Sequence, residues 1–297
     1  MHIGIDLMGG EKSPSSLLQA IHELVAESSI PLTLSIFASS EILEQLPQES
    51  GLLTLVPVNC PEIITMEDDP LKAIRSKKNS SMVVGIQALK EGKVDAFVST
   101  GNTGALVASS TFFLGRMCNP AILAILPTKG KPLALIDAGA FPDSKAENLI
   151  TNAKLGLAYQ KACGNTNPKI ALLNIGLEEH KGTLELKKAY KELKKLPEFV
   201  GNIEGRDAFD GEIDVLVTDG FTGNIFLKTA EGVASMLLDK KFYQETIARG
   251  AVVCGVNGIV IKCHGNARPE ALKNGLLLAQ SLTKGNFLKY GKATTEK

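Results

Sequence analysis

No apolar run in this 297-residue chain approaches the ~20 residues that a helix needs to span a bilayer. The opening MHIGIDLMGG also lacks the basic start and long apolar stretch of a secretory signal. The five cysteines (Cys60, Cys118, Cys163, Cys254 and Cys263) are scattered, odd in number and without a CxxC pair. That usage suits a reducing compartment and offers neither a disulfide framework nor a zinc site. Lysine plus arginine and aspartate plus glutamate are equal at 32 each, for a net charge of zero. Bulk electrostatic binding of nucleic acid is therefore not expected, although a local basic patch for an acidic protein remains open. No GxGxxG follows the first expected strand, and GxxxxGK[ST], HExxH and GxSxG are missing. These absences remove the dinucleotide fingerprint, the P-loop, the zinc-protease helix and the serine nucleophile elbow. The expectation is a cytoplasmic protein with no cofactor and no metal.

What is present is an alternation of short apolar runs with amphipathic stretches, the pattern of an α/β sheet with crossover helices. Strands are expected at 2–6, 33–38, 52–57, 96–99, 121–126, 133–137, 170–174, 215–218 and 259–262. Helices are expected at 16–28, 81–91, 105–115, 147–163, 183–195, 224–238 and 269–282. The strands at 121 and 133 flank Thr128-Lys129-Gly130-Lys131, a hairpin turn, so the sheet should be mixed rather than purely parallel. With no low-complexity linker and no block of like charge, residues 1–297 read as a single domain. The lysines of KKAYKELKKLPE lie opposite an apolar stripe of Leu186, Ala189, Tyr190, Leu193 and Leu196 and read as a solvated helix face. The tail GKATTEK is expected to fray.

One strand–glycine–helix segment occurs twice. VDAFVSTGNTGAL (94–106) and IDVLVTDGFTGNI (213–225) match position by position: Asp95 with Asp214, Val98 with Val217, Gly101 with Gly220, Thr103 with Thr222, Gly104 with Gly223. Glycines there either make tight turns or let backbone amides approach an anion in the field of a helix N-terminus. The neighbouring Asn102, Asp219 and Asn224 favour a ligand. Two further stretches bear polar groups after a strand. LLNIGLEEHKG carries Lys181, suited to a phosphate or oxyanion, with Glu178 and Glu179 readable as first-turn helix charges. GVNGIVIKCHG carries Lys262 and His264, which strand alternation puts on one face with Cys263 on the other. His264 can equally be a structural histidine, and Cys263 reads as a small buried hydrophobe.

Taken in order, MHIGIDLMGG, ITMEDDPLKAIRSKKNSSM, VSTGNTGAL, ILPT, LLNIGLEEHKG, FVGNIEGRD, DGFTGNIFLKTAEG and GVNGIVIKCHG resemble the blocks of the bacterial phosphate acyltransferases over nearly the whole chain. The resemblance implies transfer of a long-chain acyl group from acyl carrier protein to inorganic phosphate. The acyl phosphate then serves a membrane acyltransferase acting on glycerol 3-phosphate. It also implies a homodimer and a three-layer αβα sandwich with a mixed, mostly parallel sheet, like the isocitrate and isopropylmalate dehydrogenases and the phosphotransacetylases. On this basis Lys181, Asn224 and His264 are the expected catalytic residues. Asn102, Thr103, Gly104, Asp219, Gly220, Gly223 and Lys262 are expected to bind substrate, the two glycine loops forming two walls of one crevice. The sequence departs from the family at Glu11, Phe141 and Asn266. Residues 239–253 stand where the family usually inserts a longer, apolar-tipped helical hairpin, on which peripheral membrane association would depend. The competing readings are a phosphate acetyl- or butyryltransferase using acyl-CoA and a non-catalytic subunit that binds the carrier protein. A metal-dependent NAD dehydrogenase would need carboxylates and a Lys–Tyr pair that cannot be assembled from these motifs.

Overall fold

The computed structural model describes every residue except 12, 28–30, 49–50, 238–249, 264–268 and 296–297. Its strands are β1 (His2–Asp6), β2 (Leu32–Ala38), β3 (Leu53–Asn59), β4 (Ala96–Ser99), β5 (Arg116–Leu126), β6 (Leu133–Ile136), β7 (Ile170–Leu173), β8 (Phe199–Ile203), β9 (Val215–Val217), β10 (Ala251–Val256) and β11 (Ile259–Lys262). The chain forms two compact units. The first comprises Met1–Arg116 with Ala248–Thr283, the second Met117–Ile247 with Lys284–Lys297.

In the first unit the strand order is β3-β2-β1-β4-β11-β10. All neighbours run parallel except β10 and β11, which pair antiparallel across the Asn257-Gly258 turn. Central strands read as continuous apolar runs because both faces are covered, and β4 is buried at every position. Phe97 of β4 meets Phe37 of β2 edge to face, ring centroids 5.9 Å apart. Two glycines make room for that ring. A Cβ on Gly4 would lie 3.1 Å from Phe97 Cδ2, and one on Gly85 only 2.0 Å from Phe97 Cε2. Gly85 sits in the Ser81–Lys90 helix, which Ser80 caps by accepting from Val83 N.

In the second unit β5 and β6 pair antiparallel, and β6-β9-β7-β8 continue in parallel. The expected hairpin at 128–131 and the mixed sheet are both present. The Ala146–Ala162 helix packs on β9 and against the Phe287–Thr295 helix. The C-terminal tail is therefore not frayed over Gly291–Thr295: Gly291 lies against the Met117 side chain and the segment is helical. The lysine-rich helix runs Leu184–Leu193 with Ala189 and Leu193 fully buried. Its lysines face solvent, Lys188 on Glu185 and Lys194 on Glu179, as the apolar stripe requires.

Two strands do not stand out in the sequence. β8 contains Gly201 at φ +112 beside a register shift in β7, which breaks the alternation. β10 begins within the 239–253 stretch read as a shortened hairpin. Most of that stretch lies outside the described residues, but Ala251–Val253 are strand. No described helix is long and apolar enough to cross a membrane.

Replacing Gly85 by alanine should drive a methyl into the Phe97 ring and destabilise the protein by about 1–3 kcal/mol. A lowered melting temperature in Gly85→Ala, partly recovered by the double variant with Phe97→Leu, is the expected outcome.

Candidate active site

The repeated segment is a repeated physical device. In each copy the aspartate just before the strand makes a reciprocal pair with the residue at, or immediately before, the start of the neighbouring strand. Asp95 Oδ2 accepts from His2 N at 2.8 Å while Asp95 N donates to His2 O. Asp214 Oδ2 accepts from Lys169 N at 2.8 Å while Asp214 N donates to Lys169 O. At the other end of each strand a second buried aspartate stands on the adjacent strand or just beyond it. Asp6 pairs in register with Ser99, and Asp137 N donates to Thr218 O. Asp6 and Asp137 are loop-fixing residues that motif reasoning overlooked. Their signal was a second echo, an Ile-Asp strand end running into a glycine-containing loop in both IGIDLMGG and LALIDAGA.

In the first unit Asp6 accepts from Met8 N at 2.9 Å and from Ser99 Oγ at 2.7 Å, and Ser99 Oγ accepts from Gly101 N at 3.0 Å. Burial raises its carboxyl above the usual aspartate value, against the pull of Ser81, Ser99, the Met8 amide and Lys262. Lys262, only 7 % exposed, directs its ammonium to the carbonyls of Thr100 and Cys263. Thr100 Oγ1 is buried without a partner among the described residues. Asn102 Oδ1 caps the next helix at Ala105 N (3.0 Å), and its Nδ2 lies 3.2–3.3 Å from the carbonyls of Thr65, Met66 and Asp68. The Asn102 amide is thus committed to holding the loop. That is the task of the ITMEDDP block, whose Pro70 also lies under Gly104. Among the described residues the N–H groups of Thr103 and Gly104 have no partner. Cys263 is buried, donates to Ala271 O and has its thiol pushed up to about 12 by burial, so it holds no thiolate at neutral pH.

The second unit uses the same motif differently. Asp137 Oδ1 accepts from Ile122, Gly139 and Ala140 N, and its Oδ2 from Phe141 N. Burial again raises the carboxyl, against these four amides. The loop so fixed lies hard against the following helix, Gly220–Leu237. Gly220 N donates to Phe141 O, Phe221 N to Pro142 O, Thr222 N to Asp219 Oδ1 and Gly223 N to Asp219 O. Every amide of that first turn is occupied, and Asp219 acts as the cap. A Cβ on Gly220 would fall 2.2 Å from Phe141 O, and one on Gly223 1.9 Å from Asp137 O. Close backbone packing therefore suffices to require both glycines. Asn224 is exposed and donates one Nδ2 hydrogen to Ala138 O at 3.2 Å.

Lys181 lies in a loop closed on Asn174, whose Nδ2 donates to Lys181 O. Its stem runs over Gly176, where a Cβ would stand 3.3 Å from Lys181 Cγ. The ammonium has no ion-pair or hydrogen-bond partner among the described residues. Glu178 and Glu179 are not first-turn charges: the helix begins at Leu184 behind the Thr183 cap, and Glu179 pairs with Lys194. The structure thus gathers Asn102, Thr103, Gly104 and Lys262 in the first unit, and Asp219, Gly220, Gly223 and Asn224 in the second, where Lys181 lies apart from them in the loop that follows β7. His264 and Asn266 lie outside the described residues.

Comparison with known proteins decides the family. Residues 1–249 match the family described as "Fatty acid synthesis protein". The phosphate acyltransferase of Chlamydia pneumoniae is 42% identical over 97% of both chains, and that of Clostridioides difficile 38% identical over 97% of this chain and 94% of its own. The chain belongs to the phosphate acyltransferase family. It is an enzyme of the acyltransferase class. Among solved structures, a phosphotransacetylase from Staphylococcus aureus (14% identity, 94% of each chain, TM-score 0.65) shares the fold. So does a 4-hydroxythreonine-4-phosphate dehydrogenase from Klebsiella pneumoniae (13%, 95% and 98%, TM-score 0.61). At that identity the likeness speaks for the α/β fold alone.

Two outcomes separate buttressing from binding in this acyltransferase. Gly223→Ala should destabilise the protein by about 3 kcal/mol or more, because a backbone carbonyl cannot yield as a side chain can. An unchanged melting temperature with lost activity would assign Gly223 to substrate instead. Asp6 gives a pH signature. Its raised folded value means that the folded state holds the proton more tightly. The resulting stabilisation is fully present below the unfolded aspartate value of about 3.9 and is lost as pH rises through the folded value. Denaturant titrations from about pH 7 to about pH 4 should therefore show wild type gaining stability relative to Asp6→Asn as pH falls.

Proposed function

We propose that the enzyme transfers a long-chain acyl group from the thioester of acyl carrier protein to inorganic phosphate, giving acyl phosphate and the free carrier thiol. The observation that carries this reading is the Lys181 ammonium, without a partner among the described residues, in the loop that follows β7 of a chain of the phosphate acyltransferase family. A phosphate oxygen attacks the thioester carbonyl, the C–S bond breaks, and the departing sulfur takes a proton. Lys181 neutralises charge on phosphate and on the tetrahedral oxyanion, where a fixed cation is worth most. Asn224 offers its side-chain amide to the same centre, and His264 supplies the proton to sulfur. In the first unit the Thr103 and Gly104 amides and the Thr100 hydroxyl are donors left for an anion, with Lys262 providing positive charge behind them. Asn102 holds that loop, as Asp219, Gly220 and Gly223 hold theirs, so these four act on substrate through position.

Acyl carrier protein, inorganic phosphate and a second copy of the chain are the partners in this reading. Each product molecule would pass to a membrane acyltransferase acting on glycerol 3-phosphate. The enzyme would be cytoplasmic, with at most peripheral membrane contact through the segment at 239–253. Helices alternating with parallel strands support a three-layer αβα packing, since such crossovers place helices on the faces of the sheet.

Incubation with phosphate and either palmitoyl-carrier protein or palmitoyl-CoA tests the assignment. Acyl phosphate from the carrier-protein thioester alone is the expected result. Product from the CoA thioester alone would point to an acyl-CoA phosphotransacylase, and product from neither to a non-catalytic subunit. Lys181→Ala and His264→Ala should each lower turnover about 100-fold or more with the fold intact. Wild-type rates in both variants would remove these residues from the mechanism.

A further inference from the structure

The Pro70–Ser76 helix of the first unit turns a basic face to solvent that the fold itself does not use. Successive residues of a helix rotate by about 100°, so Leu71, Arg75, Lys72 and Ser76 fall on one arc and Ala73 and Ile74 on the other. The residues of the first arc are exposed, Leu71 by 59%, and those of the second are buried. Lys78 follows just past the helix end and is exposed as well. Among the described residues the side chains of Lys72, Arg75 and Lys78 have neither an ion pair nor a hydrogen bond. Lys77 differs, because Asp68 and the Ile63 carbonyl take up its ammonium. Glu67, Asp68 and Asp69 all precede the helix, which Asp69 caps at Lys72 N, so the two signs of charge are segregated along the block.

This face stands beside the glycine loop of the same unit. A Cβ on Gly104 would lie 2.8 Å from Pro70 Cγ, and the carbonyls of Thr65, Met66 and Asp68 hold the Asn102 amide. Arg75 comes five residues after Pro70, about 8 Å along the helix axis. We infer that the exposed face of the Pro70–Ser76 helix docks the carrier protein, an acidic protein whose carboxylates meet Lys72, Arg75 and Lys78. The inference rests on the carrier-protein reading proposed above and adds where the carrier sits. A thioester borne on a protein needs a docking surface next to the reacting loop rather than within it. Cations with no partner of their own can meet an acidic surface without breaking an existing ion pair. The lysine-rich Leu184–Leu193 helix and the turn after it are less suited, since Lys188, Lys194 and Lys195 already hold Glu185, Glu179 and Glu192. An anionic bilayer is the other polyanion to weigh. Recruiting one takes a cluster of about four to eight basic residues. Here the three unpaired cations follow directly on Glu67 and Asp69 in the chain, a mixed pattern that suits a protein surface.

Titrating the enzyme into fluorescently labelled holo-acyl carrier protein at low ionic strength tests the inference. Binding by the unaltered enzyme that weakens as salt is added is expected; no binding, or binding indifferent to salt, overturns the proposal. In the Lys72→Glu/Arg75→Glu variant Kd should rise about 10-fold or more with the melting temperature kept. Lys191→Glu, the same charge change on the lysine-rich helix, should leave Kd as it is. An unchanged Kd in the double variant, or an equal rise in Lys191→Glu, overturns the proposal. Should the double reversal lose its fold, Lys72→Gln and Arg75→Gln must each still raise Kd. Weakened binding to phosphatidylglycerol vesicles with carrier affinity kept would assign the face to a membrane instead. In turnover, the double reversal should raise KM for palmitoyl-carrier protein and keep kcat. A lost kcat at unchanged KM would put the two residues in the reacting centre and overturn docking. If the unaltered enzyme binds the carrier yet forms no acyl phosphate, the proposed reaction has failed, while docking stands or falls on Kd alone.

Discussion

Two carboxylates withheld from water set the terms for both glycine loops. A buried aspartate is tolerable only if its oxygens are filled with donors, and the donors that a strand end can supply are the amides of the loop that follows. Asp137 collects four of them and Asp6 collects the Met8 amide and the Ser99 hydroxyl. In meeting that demand each aspartate bends its loop into one shape. In the second unit the shape then dictates what the helix after β9 may carry: glycine at 220 and 223, where backbone comes within reach of backbone.

The repeated segments begin alike and end differently, and the difference is chemical. Both open on an aspartate that clamps the adjacent strand. Beyond the strand, the second unit consumes every amide of its helix start, three of them on backbone carbonyls and one on the Asp219 carboxylate. Among the described residues the first leaves Thr103 and Gly104 N–H without a partner and keeps a buried hydroxyl on Thr100. Identical residue patterns thus serve as a buttress in one place and as a source of donors in the other. Cation placement complements this, since Lys262 is drawn into carbonyls while among the described residues the Lys181 ammonium has none.

Much of this was legible beforehand, for definite reasons. β1, β4 and β11 stand where short apolar runs put them, because a strand covered on both faces has nothing but apolar residues to offer. The apolar stripe from Leu186 to Leu196 separated a buried face from lysines that indeed lie in solvent. β8 stayed hidden because Gly201 interrupts its alternation. The Pro70–Ser76 helix went unread because its stripe is too short, despite its Asp-Pro start. Of the candidate site, the loops were legible and the duties of their side chains were not. Asn102, Asp219, Gly220 and Gly223 all sit in binding-like motifs, yet what each touches depends on chain more than thirty residues away for Asn102 and the glycines and on its own helix start for Asp219.

The sequence by itself determined the α/β alternation, the places of the glycine turns and, through its ordered blocks, membership in the phosphate acyltransferase family. Those properties are local, or are carried by residue identity. Only the tertiary structure decided which glycines are pressed by backbone, which amides are already taken, and which lysine is drawn into buried carbonyls. Each of these depends on segments distant in the chain competing for the same few donors and the same few ångströms, and no local pattern records who wins.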